Sequence, residues 1–222
     1  MTPDDVLETV QSDLATELSR LGSSKALYAA TEGELEADRV LEAAAVAERA
    51  AAETFAAWAD DEPDADAREV FASIAADERA HAERVREELD GGAADAAGDT
   101  DAGGTTDDVD DLAIPTHLRS IDGTIERAGA LLGRILVADE SKSQYVGYFV
   151  GDADPQTARV FRELRGDLEG QRDRALDLLA AVCTDEADWE VATAAAADVV
   201  AVAYEEHVET LESLGIDPKP VC

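Results

Sequence analysis

Apolar residues recur every three or four positions through almost the whole chain, and runs of β-branched residues are scarce. Side chains at that spacing share one face of a helix, whereas a strand needs strict alternation. Alanine, leucine, glutamate and arginine dominate the helical segments. The expected class is therefore all-α. Thr2 followed by Pro3, Asp4 and Asp5 is a helix-start signal. Val6, Val10, Leu14, Leu18 and Leu21 then form one stripe, which ends at Gly22. A second helical region begins near Ser24, breaks around Gly33 and runs to about Asp60. The acidic turn DDEPDAD precedes a helix over about 65–89. Further helices are expected over about 122–150, 155–183 and 186–214, with Asp154-Pro155 marking the turn between the first two.

Residues 91–111, GGAADAAGDTDAGGTTDDVDD, have the composition of a flexible acidic linker. They divide the chain into an N-terminal helix plus a first helical hairpin (1–90) and a second hairpin plus a C-terminal helix (112–222). The two parts are expected to pack as one domain. The halves read as a diverged repeat: Phe71 matches Phe161, Ile74 matches Leu164, and Asp77 matches Asp167. Each copy follows a long helix and a short acidic turn containing proline.

The formal net charge is −34, with 52 acidic residues against 18 basic ones. Such a chain repels nucleic-acid phosphates and anionic membrane surfaces. The acidity reads as adaptation to a high-salt cytoplasm, where a Debye length of roughly 3 Å at molar salt removes most of the self-repulsion. The alternative is a polyanion that competes with nucleic acid for basic proteins, but the acidic residues are spread over every segment. Cys183 and Cys222 make neither a disulfide framework nor a zinc cluster. The acidic N-terminus lacks the apolar core of a signal peptide, and no apolar run is long enough to span a bilayer. A soluble cytoplasmic protein is expected.

Two carboxylates stand where a helix should be apolar. Glu48 lies in a stripe with Leu41, Ala44, Ala45, Ala51, Ala52 and Phe55. Glu78 lies in a stripe with Phe71, Ile74, Ala75, Ala82 and Val85, with His81 one turn on. An ion withdrawn from water costs several kcal/mol unless something pairs with it. A metal ion or a buried arginine would serve. The bland alternatives are an edge glutamate that reaches solvent past small alanines, and a core histidine satisfied by a neighbour. His117 and His207 show no acidic partner at ligand spacing. Cys183, near a helix end, reads as buried packing. Tyr145 and Tyr148 pack in the bundle or, with a metal bound, lie beside it.

Residues 47–85 resemble the first helical hairpin of the rubrerythrin and ferritin-like family. The likeness is carried by Glu48, Phe55, Trp58, Phe71 and the Glu78-x-x-His81 pair. It implies a ferritin-like four-helix bundle of two hairpins, here with additional N-terminal and C-terminal helices. It also implies a metal site of iron or manganese built from glutamates and Glu-x-x-His pairs. The second hairpin departs from the pattern, with Leu168 at the place of Glu78 and Gln171 at the place of His81. Glu140, on a half-apolar face, is the candidate for its lone glutamate. The ligand set is then Glu48, Glu78, His81 and Glu140, fewer than a di-iron centre wants. Three readings follow. One is a bundle with a lost or reduced metal site serving as a scaffold or regulator, without a cofactor and with a protein partner of basic surface. Another is an iron- or manganese-binding oxidoreductase. The third is a homodimer whose two copies of Glu48, Glu78 and His81 share one di-iron site. The first is favoured for present activity, because Leu168 repacks the wall opposite Glu78.

Overall fold

A computed structural model describes residues 1–95 and 112–218. Among these residues the secondary structure is entirely helical, in nine segments: α1 (Pro3–Asp13), α2 (Ala15–Leu21), α3 (Ser24–Ala30), α4 (Ala37–Asp61), α5 (Ala65–Asp95), α6 (Ala113–Arg119), α7 (Thr124–Gly151), α8 (Pro155–Val182) and α9 (Glu186–Ser213). The capping residues explain several boundaries. Thr2 closes a reciprocal capping box with Asp5, and Asp185 does the same with Asp188. Asp154 accepts from the backbone of Gln156 and Thr157, with Pro155 fixing the first turn of α8. Gly33, at φ 90°, takes the left-handed turn between α3 and α4 that a β-carbon would strain.

Three boundaries differ from the expected ones. The first stripe breaks at Leu14 (φ −109°, ψ 23°), giving two short helices. The helix expected to end near 89 continues to Asp95, so the linker expectation holds at most for 96–111, which lie outside the described residues. Before α7 there is an additional short helix, α6, whose seven residues are too few for a periodic pattern to declare itself. The end of the C-terminal tail, residues 219–222, also lies outside the described residues.

Helices α4 and α5 form one antiparallel hairpin and α7 and α8 another; α5 packs on α8, and α9 runs along α7. The α7–α9 approach is close because α7 presents Gly129 and Gly133. A β-carbon at either would collide with the backbone carbonyls of Ala192 and Ala196. Near the α4 C-terminus a buried polar clamp joins the halves. Arg127 donates to Asp61 at 2.8 Å and to Glu62 at 3.1 Å, Thr124 donates to Glu62 at 2.6 Å, and Trp58 donates to the Leu118 carbonyl at 3.1 Å.

The interior holds two apolar clusters. The larger includes Ala51, Phe55, Phe71, Ile74, Leu131, Ala138 and Leu168, and the smaller includes Ala44, Ala45, Val85, Tyr145, Phe149 and Leu164. On α4, Glu48 falls between residues of the two clusters. Glu78 and His81 do so on α5, and Lys142 does so on α7. A layer of buried polar side chains thus interrupts the hydrophobic core where the two clusters meet. No helix among the described residues is long and apolar enough to cross a membrane.

Candidate metal centre

The helical period that builds the apolar stripes also delivers the polar layer. Glu48 replaces one apolar residue in the inward stripe of α4, and Glu78 and His81, three apart, replace two in that of α5. All three are nearly inaccessible: Glu48 and Glu78 are each 2% exposed and His81 is 3% exposed. Neither carboxylate is an edge residue reaching past alanines to solvent. One ligand atom from each of the three lies within 4.8 Å of the others.

Each of the three has one polar atom tied outward and one turned inward. Glu48 Oε1 accepts from Lys142 Nζ at 2.6 Å, and Glu78 Oε1 accepts from Gln171 Nε2 at 2.8 Å. His81 Nε2 lies 3.3 Å from Asp167 Oδ2. The remaining atoms, Glu48 Oε2, Glu78 Oε2 and His81 Nδ1, are buried without a hydrogen-bond partner among the described residues. His81 Nδ1 and Glu48 Oε2 are 3.6 Å apart, too far for a hydrogen bond. With Nε2 donating to Asp167, the Nδ1 lone pair is left facing the two carboxylates.

Burial pushes both carboxyls toward the neutral form, but their neighbours separate them. At Glu48 burial is the largest single influence, but the Lys142 ammonium, His81, Glu78 and Arg134 together outweigh it, and the carboxyl is held well below the usual carboxylate range. At Glu78 burial, followed by the negative charge of Glu48, pushes the carboxyl up to about 7. Tyr145, packed on Phe161 with ring centroids 4.9 Å apart, has its hydroxyl pushed up by burial and then by the Glu48 charge. It therefore lies beside the layer. Tyr148 does not: its hydroxyl reaches the Leu35 carbonyl at 3.0 Å.

Two carboxylate oxygens and an imidazole nitrogen are donors that could hold a metal ion, and the three inward atoms have no hydrogen-bond partner among the described residues while both carboxyls are ionised. Ligand atoms on one such ion stand about 3 Å apart, so the group is nearly assembled. Glu140 is not part of it. Its carboxylate lies over Gly22 of the α2–α3 connection, half-buried, and burial pushes it up. The expectation that Glu140 supplies the lone glutamate of the second half is not met by this placement: Glu140 and Lys142 are two residues apart on α7, about 200° round the helix, and so lie on different faces.

The second hairpin contributes two residues that the sequence reading did not assign to the site. Lys142, 1% exposed, is the counter-ion of Glu48, where the sequence pointed to a metal ion or a buried arginine. It sits on the stripe of Ile135, Ala138, Tyr145 and Phe149, a signal of the same kind as that of Glu48. Gln171, at the repeat position of His81, spans the bundle to Glu78. The wall opposite the glutamates is therefore polar at two positions, although Leu168 does join the apolar core. The same two side chains cover the glutamates from within the chain. His207 is buried on α9 with both ring nitrogens unpartnered among the described residues, and His117 sits in the last turn of α6; neither joins the cluster. Cys183 is buried at the end of α8, and burial raises its thiol to about 11, as packing requires. No family model, curated protein or solved structure matches the chain.

Proposed function

We propose that the protein binds one divalent transition-metal ion, of the iron or manganese kind, through Glu48, Glu78 and His81. One observation carries the reading: the three inward atoms of these residues are the unsatisfied ones, while their outer atoms are each held by Lys142, Gln171 or Asp167. A buried polar atom without a partner costs about 1–3 kcal/mol, and three converging on one point are accounted for together by a cation. The outer partners do what second-layer groups do at metal sites, fixing the rotamer and tautomer of each ligand. The likeness of residues 47–85 to the ferritin-like first hairpin supports the same assignment.

Bound there, iron or manganese would supply one-electron chemistry toward dioxygen or peroxide. The chain's own contribution is enclosure. Ligands exposed by only 2–3% restrict any co-reactant to small molecules, and the surrounding apolar clusters keep bulk water from the ion. Glu78, whose carboxyl is pushed up to about 7 by burial and the Glu48 charge, must give up its proton before it can bind the ion.

A metal-free scaffold is the second reading, and one observation favours it. Lys142 neutralises Glu48, and a protonated Glu78 adds no charge, so the layer is tolerable without an ion at mildly acid pH. Elemental analysis of chain purified without chelators separates the two. About one iron or manganese per chain, lost in Glu78→Ala and in His81→Ala, supports the metal protein. No bound metal, with both variants as stable as the parent, leaves the scaffold and its protein partner.

A further inference from the structure

Glu48 bridges. Its Oε2 lies 3.6 Å from His81 Nδ1, with Glu78 in the same group, while its Oε1 is held by the Lys142 ammonium at 2.6 Å. A carboxylate that offers one oxygen to each of two cationic positions is the arrangement by which paired metal ions are held. Here one position is filled by a side chain. Lys142 comes from α7, in the middle of the bundle, where its 1% exposure leaves no route for the ammonium to reach solvent. Such burial is costly, and an apolar residue would fill the same stripe more cheaply. Arg134, about two turns before Lys142 on α7, adds a second positive charge that acts on both glutamates.

We propose that the Lys142 ammonium stands in for a second cation on Glu48 and so limits the centre to a single metal ion. This rests on the metal-binding reading only for the identity of the first ion. The ammonium supplies the charge and the hydrogen bonds that a second ion would supply, but no open coordination position and no electron. It also opposes the first ion electrostatically, since two positive centres share one carboxylate. At an effective dielectric of about 20, a unit charge a few ångströms from a divalent ion is worth more than a tenfold change in affinity.

The test uses the full chain, titrated with Mn²⁺ in molar potassium chloride, which suppresses diffuse binding to the acidic surface. Parent, Lys142→Met and Lys142→Glu are compared for ions bound per chain, affinity and melting temperature. Lys142→Met is expected to melt lower than the parent without Mn²⁺, to bind it at least about tenfold more tightly, and to gain more in melting temperature when it binds. Lys142→Glu, with a carboxylate in place of the ammonium, is expected to take two ions per chain. Unchanged affinity and one ion in both variants would overturn the proposal. So would a Lys142→Met chain that stays unfolded with and without Mn²⁺, because a cation could then not replace the ammonium. A parent that binds no Mn²⁺ beside variants that do would reject the resident ion and keep the role of Lys142. A parent that binds one ion beside unchanged variants would do the reverse.

Discussion

Glu78 makes the clearest prediction at the scale of single residues. Its carboxyl is raised from 4.5 to about 7, so the folded chain holds this proton more tightly than the unfolded chain does. Below about pH 4.5 both states are protonated and the group contributes nothing. Between about 4.5 and 7 the unfolded state ionises first, so the metal-free fold loses stability as pH rises, at up to about 1.4 kcal/mol per unit, and then levels off. Glu48 has the opposite sign: its depressed pKa gives stability that is lost only as pH falls below the ordinary carboxylate range. Denaturant titrations of metal-free protein should therefore show a decline between pH 5 and 7 that Glu78→Gln abolishes. An ion must displace the same proton, so metal affinity should climb over that interval. A flat parent profile, or a Gln variant with the parent's slope, would place Glu78 in a different environment.

Among the helices, two devices fix how the elements that frame the site are held. The Arg127–Glu62 pair ties the end of α4 to the start of α7 out of contact with water, with Arg127 also stacked on Trp58 at 5.5 Å. Arg127→Ala strands a buried carboxylate and should cost about 3–5 kcal/mol in chemical denaturation, well above an exposed pair such as Arg165–Asp139. Gly133→Val inserts bulk against the Ala196 carbonyl and should cost about 1–3 kcal/mol by forcing α7 and α9 apart. If the Val variant melts with the parent, the two helices are not in van der Waals contact there.

The legibility of the chain divides along the same lines. The long helices α4, α7, α8 and α9 were readable to within a few residues because apolar period, caps and proline agree. The polar interruptions at Glu48, Glu78 and His81 stood out against alanine-rich stripes. Lys142 interrupts its stripe in the same way, but long aliphatic lysines commonly reach solvent from such positions, and only the tertiary structure, which sets Glu48 against it in the buried core, closes that route. Glu140 looked eligible because it lies only two residues from Lys142, and sequence alone does not orient the two faces in space. Gln171 was legible as a departure from the ferritin-like pattern that residues 47–85 resemble, but its bond to Glu78 depends on α5 and α8 being neighbours, a tertiary fact.

For the molecule as a whole, charge outweighs every other influence on how stability responds to the solvent. A net charge of −34 on 222 residues repels itself across the compact state, and salt screens that repulsion. The melting temperature should rise steadily between about 0.1 M and about 3 M potassium chloride as the Debye length falls from about 10 Å toward 3 Å and below. The buried layer lies away from that solvent, so metal affinity should change far less with salt than stability does. The same acidity means that manganese will also collect loosely on surface carboxylates, and a count of bound ions does not by itself locate them. Pulsed electron paramagnetic resonance on the manganese-loaded chain in molar salt does. One ion per chain with a single imidazole nitrogen in its coordination shell, lost in His81→Gln, is the result expected of a centre built on Glu48, Glu78 and His81. Manganese held through oxygen alone and indifferent to His81→Gln, or no manganese retained at all, would contradict it.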